Sequence, residues 1–233
     1  IYNKADGSSI GTITDLGDLW DPSVDNLGDP IVLYDKYADR WVLTQFGTTS
    51  TSSFSDGIIY IAISKTADPT GEYYTYTYNF SQFIDYPKFS IWADGYYMSS
   101  NSNQIHVFER SKMLTGDSSA KVLVDNFANI SNSALNSIPA DADGILPPYG
   151  TPCPIIYFVD RPTGEDKVFL HNVATDWTAD TVTIDSTPIE LPVSDFDNSS
   201  DSSRENVIEG FGLSGSPRLD CVKPMMMFRA QWR

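Results

Sequence analysis

Gly28-Asp29-Pro30-Ile31-Val32-Leu33-Tyr34-Asp35, followed by Asp39-Arg40-Trp41-Val42-Leu43-Thr44-Gln45-Phe46, is the stretch that decides the fold. An apolar run, a turn rich in Asp, and an apolar return run read as a β-hairpin. Ile58 to Ser64 supplies a third strand. Asp68-Pro69-Thr70-Gly71 turns the chain, and Tyr73 to Tyr78 alternates as a fourth strand. Four antiparallel strands joined by short turns make one repeating unit.

The unit recurs. Asp85-Tyr86-Pro87-Lys88-Phe89-Ser90-Ile91-Trp92 leads through Ala93-Asp94-Gly95 to Tyr96-Tyr97-Met98-Ser99-Ser100, then to strands at 104–109 and 120–124. A third unit opens near Asp141, with strands at 155–159, 167–173 and 181–184. A fourth opens at Arg218-Leu219-Asp220 and stops after its first strands. Asp29, Asp85 and Asp141 are spaced 56 residues apart. The next step, to Asp220, is 79 residues because 186–216 carries an insertion. Helical periodicity is nearly absent; the short Arg110–Leu114 segment is the best helical candidate. The fold expected is all-β, a β-propeller of four-stranded antiparallel blades in one domain or propeller fragment spanning 1–233, with a two-layer sandwich as the alternative.

Composition agrees with an ordered all-β chain. Of 233 residues, 41% are hydrophobic and 13% aromatic, enough for a sizeable core. With 31 acidic against 15 basic residues the net charge is -16, a field that repels nucleic-acid backbones and anionic membrane surfaces. No run approaches the ~18 apolar residues of a membrane-spanning helix. Both ends read as cuts in a longer chain. Cys153 and Cys221 form no CxxC pattern and are compatible with a disulfide or with two buried thiols.

Gly28-Asp29-Pro30-x-Val32-Leu33-Tyr34-Asp35-x4-Arg40-Trp41, Asp68-Pro69-Thr70-Gly71-x-Tyr73-Tyr74 and Asp85-Tyr86-Pro87-Lys88-Phe89-x2-Trp92-x-Asp94-x-Tyr96-Tyr97-Met98, with Arg218-Leu219-Asp220, resemble a family of uncharacterised secreted bacterial β-propeller proteins from Gly28 onward. The resemblance implies export to the medium or the cell surface, and a chain continuing past Arg233. It carries no activity or catalytic residue to transfer.

Candidate chemistry centres on the aspartates that open the units. If Asp29, Asp85 and Asp141, with Asp220, line one channel mouth, their oxygens suit Ca²⁺, or supply the carboxyl pair of a glycoside hydrolase. The plainer reading is that each caps its own turn. Asp15, Asp18, Asp21 and Asp25 do not match calcium-loop spacing and read as a solvated acidic lead-in; Asp195, Asp197 and Asp201 sit in the insertion. His106 and His171, in third strands, read as packed strand histidines. Trp92 is a candidate for stacking on a ligand, as are Trp41, Tyr96, Tyr97 and the Tyr74/Tyr76/Tyr78 face. Packing between blades explains these aromatics as well. Asn79, Asn129 and Asn198 match the glycosylation pattern. No nucleophile elbow, phosphate loop or cofactor motif is present. The function expected is a non-catalytic extracellular module that binds glycan or another extracellular ligand. A glycoside hydrolase and a structural repeat segment of a surface protein are the alternatives.

Overall fold

The computed structural model describes residues 1–11, 15–20, 27–127, 137–160, 164–196, 205–207, 219–220, 226–227 and 229–233. The chain is all-β, built on antiparallel four-stranded sheets. The first sheet runs in chain order: β1 (Ile31–Asp35), β2 (Arg40–Gly47), β3 (Gly57–Ser64) and β4 (Tyr73–Phe80). Ile31, Thr44, Ile61 and Tyr76 form one cross-strand row. Every residue of β3 is buried, which is why its sequence is continuously apolar rather than alternating. The expected turn chemistry is present. Asp35 Oδ1 accepts the N–H groups of Tyr37 and Ala38, and Asp68 Oδ1 accepts from Thr70 N–H and Oγ1.

The second sheet repeats the order with β5 (Lys88–Ile91), β6 (Tyr96–Ser99), β7 (Gln104–Phe108) and β8 (Val122–Asn126); α1 (Arg110–Met113) sits between the last two. The third is built from β9 (Ile138–Pro139), β11 (Cys153–Val159), β12 (Lys167–Asp176) and β13 (Thr181–Ile184). β14 (Ile189–Pro192) shares the outer edge of β12 with β13. Two details differ from the sequence reading. The third sheet opens at Ile138, before Asp141, and Asp141 falls in β10 (Asp141–Ala142), which pairs in parallel with β17 (Gln231–Trp232). The insertion after Ser186 also contributes β14, because Ile189 and Leu191 extend the β12 edge. β15 (Glu205–Val207) pairs with β16 (Leu219–Asp220).

The sheets stack face to face. Val42, Ile59, Ile61, Ile63 and Tyr76 of the first pack against Phe89, Ile91, Tyr96, Met98 and Phe108 of the second. The opposite face of the second, with Tyr97, Ile105 and Val107, packs against Cys153, Ile155, Tyr157, Phe169 and Val173 of the third. The opening strands run side by side in one direction. At their leading ends Ser99, the register partner of Lys88, donates its hydroxyl to Ser137 O just before β9. At their trailing ends Asp35 accepts from Tyr96 OH (2.9 Å), and Asp141 Oδ1 accepts from Ile91 N–H (2.8 Å).

Charge is buried at the first joint. The Asp35 side chain is 0% exposed, and Arg110, at 11%, forks onto it through Nε (2.7 Å) and Nη2 (3.0 Å). Removing one partner leaves an uncompensated buried charge. Arg110→Ala is therefore expected to cost about 3–5 kcal/mol in urea unfolding, whereas Asp35→Leu with Arg110→Leu recovers most of that loss. His106 is fully buried on β7, edge-on to Phe80. Burial pulls its pKa down to about 4, against a weak contact to the Met98 backbone. The neutral ring is thus the folded form, and its stability is lost as pH falls from 6.5 towards 4. His106→Leu is expected to gain on the wild type by up to about 3 kcal/mol between pH 7.5 and pH 4, read from unfolding midpoints.

Candidate functional site

Two X-Pro steps lead into the first two sheets, and both are strained. Asp29 precedes Pro30 at φ 46, and Tyr86 precedes Pro87 at φ 53. Each stands two residues before its opening strand, so Tyr86, not Asp85, is the counterpart of Asp29. A bulky residue at positive φ is a true outlier, and a following proline restricts it further. Glycine would relieve the strain, yet both positions carry side chains.

These residues surround Lys88. Its ammonium lies 3.4 Å from the centroid of the Tyr86 ring and 3.3 Å from Pro87 O. Burial lowers the Lys88 pKa, and the charges of Asp29 and Asp85 work against that. Burial raises the Tyr86 phenol, with the Asp29 charge adding to it. The Tyr86 hydroxyl reaches Met227 Sδ at 3.4 Å. Asp85 is fixed to the β6–β7 turn: its N–H donates to Asn101 Oδ1, and its carbonyl accepts from Asn101 N–H. One ammonium thus sits on an aromatic ring at the leading end of β5, within electrostatic reach of Asp29 and Asp85.

The equal 56-residue spacing is therefore not structural equivalence. Asp29 lies two residues before β1 and Asp85 three before β5, while Asp141 lies beyond β9. Asp29 and Asp85 both act on Lys88 through their charges. Asp141 is buried at 4% exposure, with Oδ1 on Ile91 N–H and Oδ2 paired to Arg229. Burial raises its pKa, which those bonds counter only in part. In place of the single carboxylate ring expected of these three residues, Asp29 is exposed, Asp85 half-buried and Asp141 an interface residue. The side chain of Asp220 lies outside the described residues.

Trp92 is fully buried between the second and third sheets. Its indole N–H donates to Thr151 O (2.7 Å), and its ring meets Trp232 edge-on at 5.6 Å. The tyrosine face packs between sheets, as Tyr76 OH bonds Met113 O and Tyr78 OH bonds Ala120 O. His171 Nδ1 is 2.8 Å from Asp185 O and 2.9 Å from Asp185 Oδ1, a packed strand histidine. Asp15 Oδ1 accepts from Gly17 N–H beside an apolar cavity of about 310 Å³ lined by Ile1, Ile10, Leu16, Leu19, Leu43 and Tyr73. Asp21, Asp25, Asp197, Asp201, Asn129, Asn198 and Cys221 lie outside the described residues; Cys153 carries a free, buried thiol. Reading from aspartates missed Tyr86 and Lys88. Aligning the units on Pro30 and Pro87 finds them.

Among the described residues no three His, Cys, Asp or Glu side chains gather as a cation site requires. Thermal midpoints in EDTA, in millimolar Ca²⁺ and in millimolar Mg²⁺ at matched ionic strength are expected to agree. A Ca²⁺-specific rise, worth ~2.7 kcal/mol at a hundredfold excess over the dissociation constant, would put a bound cation back among the acidic loops. Comparison with protein-family models, with curated proteins and with solved structures finds no significant match to the chain.

Proposed function

We propose that this chain is part of a secreted β-propeller that binds an extracellular glycan without turning it over, using the Asp29–Tyr86–Lys88–Asp85 cluster at the leading ends of its opening strands. Three opening strands running side by side, each heading a sheet stacked on the next, support the propeller reading. The acidic net charge supports an extracellular, freely soluble setting.

The observation that carries the binding site is the pair of positive-φ residues before Pro30 and Pro87. Strain of this kind persists where surrounding structure holds a side chain in place for use. The chemistry suits a sugar. Carboxylates accept hydroxyl protons, an ammonium donates to ring and hydroxyl oxygens, and a tyrosine ring offers an apolar face with a polar rim. Hydrolysis fits less well. A glycosidase needs a raised-pKa acid beside a second carboxylate. Asp94, raised to about 6, and Asp141, also raised, both lie buried in sheet interfaces rather than beside Asp29 or Asp85.

The test is a glycan array followed by calorimetric titration of the best ligand against Tyr86→Gly and Asp29→Asn/Asp85→Asn. Tyr86→Gly relieves the backbone, so its stability is expected to hold or to rise by about 1 kcal/mol. Its affinity is expected to fall at least about tenfold, equal to 1.4 kcal/mol. Unchanged affinity in both variants would remove the cluster from the site. Turnover of chromogenic glycosides would make the chain a hydrolase. A blank array would leave a structural repeat.

A further inference from the structure

Each of the two joints of the stack buries a carboxyl under a tyrosine hydroxyl, and they differ in the group that stands beside it. At the first, Asp35 receives the Tyr96 hydroxyl and the Arg110 fork. Register fixes the corresponding places at the second. Tyr96 opens β6 opposite Phe108, and Cys153 opens β11 opposite Val173. Two residues beyond Phe108 is Arg110; two beyond Val173 is Thr175. The second joint also buries a carboxyl, Asp94, at 2% exposure. Its Oδ1 accepts from Tyr97 OH (3.0 Å), and that hydroxyl lies 2.8 Å from Thr175 Oγ1. Thr175 brings no charge where Arg110 brought one, and among the described residues Asp94 Oδ2 has no hydrogen-bond partner.

Among the described residues, the groups packed around Asp94 supply no cation. Tyr97 on its own sheet and Cys153 on β11 are both held neutral by burial, and the Tyr149 phenol on the facing loop is raised too. Asp141 is paired with Arg229, Glu109 with Lys112, and Asp176 accepts the N–H groups of Thr178 and Ala179. What remains is the Asp94 main-chain carbonyl, which accepts the Trp177 indole N–H (2.7 Å) and ties the β12–β13 turn to the β5–β6 turn.

We propose that the joint between the second and third sheets is a proton-operated clasp, closed around Asp94 as a neutral acid and loosened at the Trp177 turn and the 145–151 loop when that carboxyl ionises. A buried carboxylate with neither a counter-ion nor a full set of donors is costly, and the cheaper state keeps the proton. Burial raises the Asp94 pKa to about 6, with the Tyr97 bond working the other way. The folded state therefore binds a proton that the unfolded chain has released. The contribution is present in acid and is lost as pH rises from about 3.8 to about 6.

The experiment compares urea unfolding of wild type and Asp94→Asn at pH 4.5, 6.0 and 7.5; taking the ratio removes the opposite response of His106. The ratio of unfolding constants, wild type over variant, is expected to rise roughly thirtyfold between pH 4.5 and 7.5. A ratio that does not move overturns the proposal. Thr175→Lys guards against an Asn variant that does not fold, since it returns a cation to the place Arg110 holds at the first joint. It should flatten the wild-type response over that range, and an unflattened response counts against the clasp. In the folded wild type, indole fluorescence should titrate with a midpoint near 6. The same titration in Asp94→Asn would assign it elsewhere and overturn the proposal.

Discussion

Asp35 keeps its carboxylate out of water because Arg110 and Tyr96 reach it from the next sheet. That contact sets how far apart the first two sheets stand and which ends of their strands coincide. A fork of two charge-assisted bonds has little angular freedom, so the trailing end of β1 is pinned over the start of β6. Apolar packing alone would tolerate sliding along the strands. The fork does not, and the leading ends carrying Asp29 and Tyr86 are brought together as a result.

Around that joint the second sheet works as the spine. Ile91, Tyr96, Met98 and Phe108 serve one face, while Tyr97, Ile105 and Val107 serve the other; all are 4% exposed or less. Such a sheet must be apolar on both sides, and any polar group in it is expensive. Ser90 and Ser99 are buried there as well, and the titratable polar groups that stand out are His106 and Asp94. Each is held neutral by burial, with opposite consequences for pH. In the turns, by contrast, Asp56, Asp68 and Asp117 accept backbone and hydroxyl protons that hold their pKa values low.

Much of this was legible from residue order. Alternation and turn chemistry located the four strands of each of the first two sheets, the strands that follow Cys153, and the helical turn at Arg110. Their sequence positions answer to the pleat and to local hydrogen bonds. Equivalence between units was less legible. Aspartates recur at equal spacing, but loops absorb insertions of one residue without altering strand pairing. The matching residues turned out to precede proline. Asp141 read as the start of a unit because β9 is only two residues long and contains Pro139, too brief to register as a strand.

The sequence by itself determined the all-β class, the positions of the strands in the first two sheets and the net negative charge, because each follows from near-neighbour patterning or from a sum over the chain. Tertiary structure alone decided which carboxyls are free. Asp29 and Asp85 act on Lys88 through their charges, Asp35 is neutralised by a residue 75 positions away, and Asp94 has no cation beside it among the described residues, Thr175 standing at the place matching Arg110. Those distinctions depend on distances across stacked sheets and on burial, and neither is encoded in the spacing of aspartates along the chain.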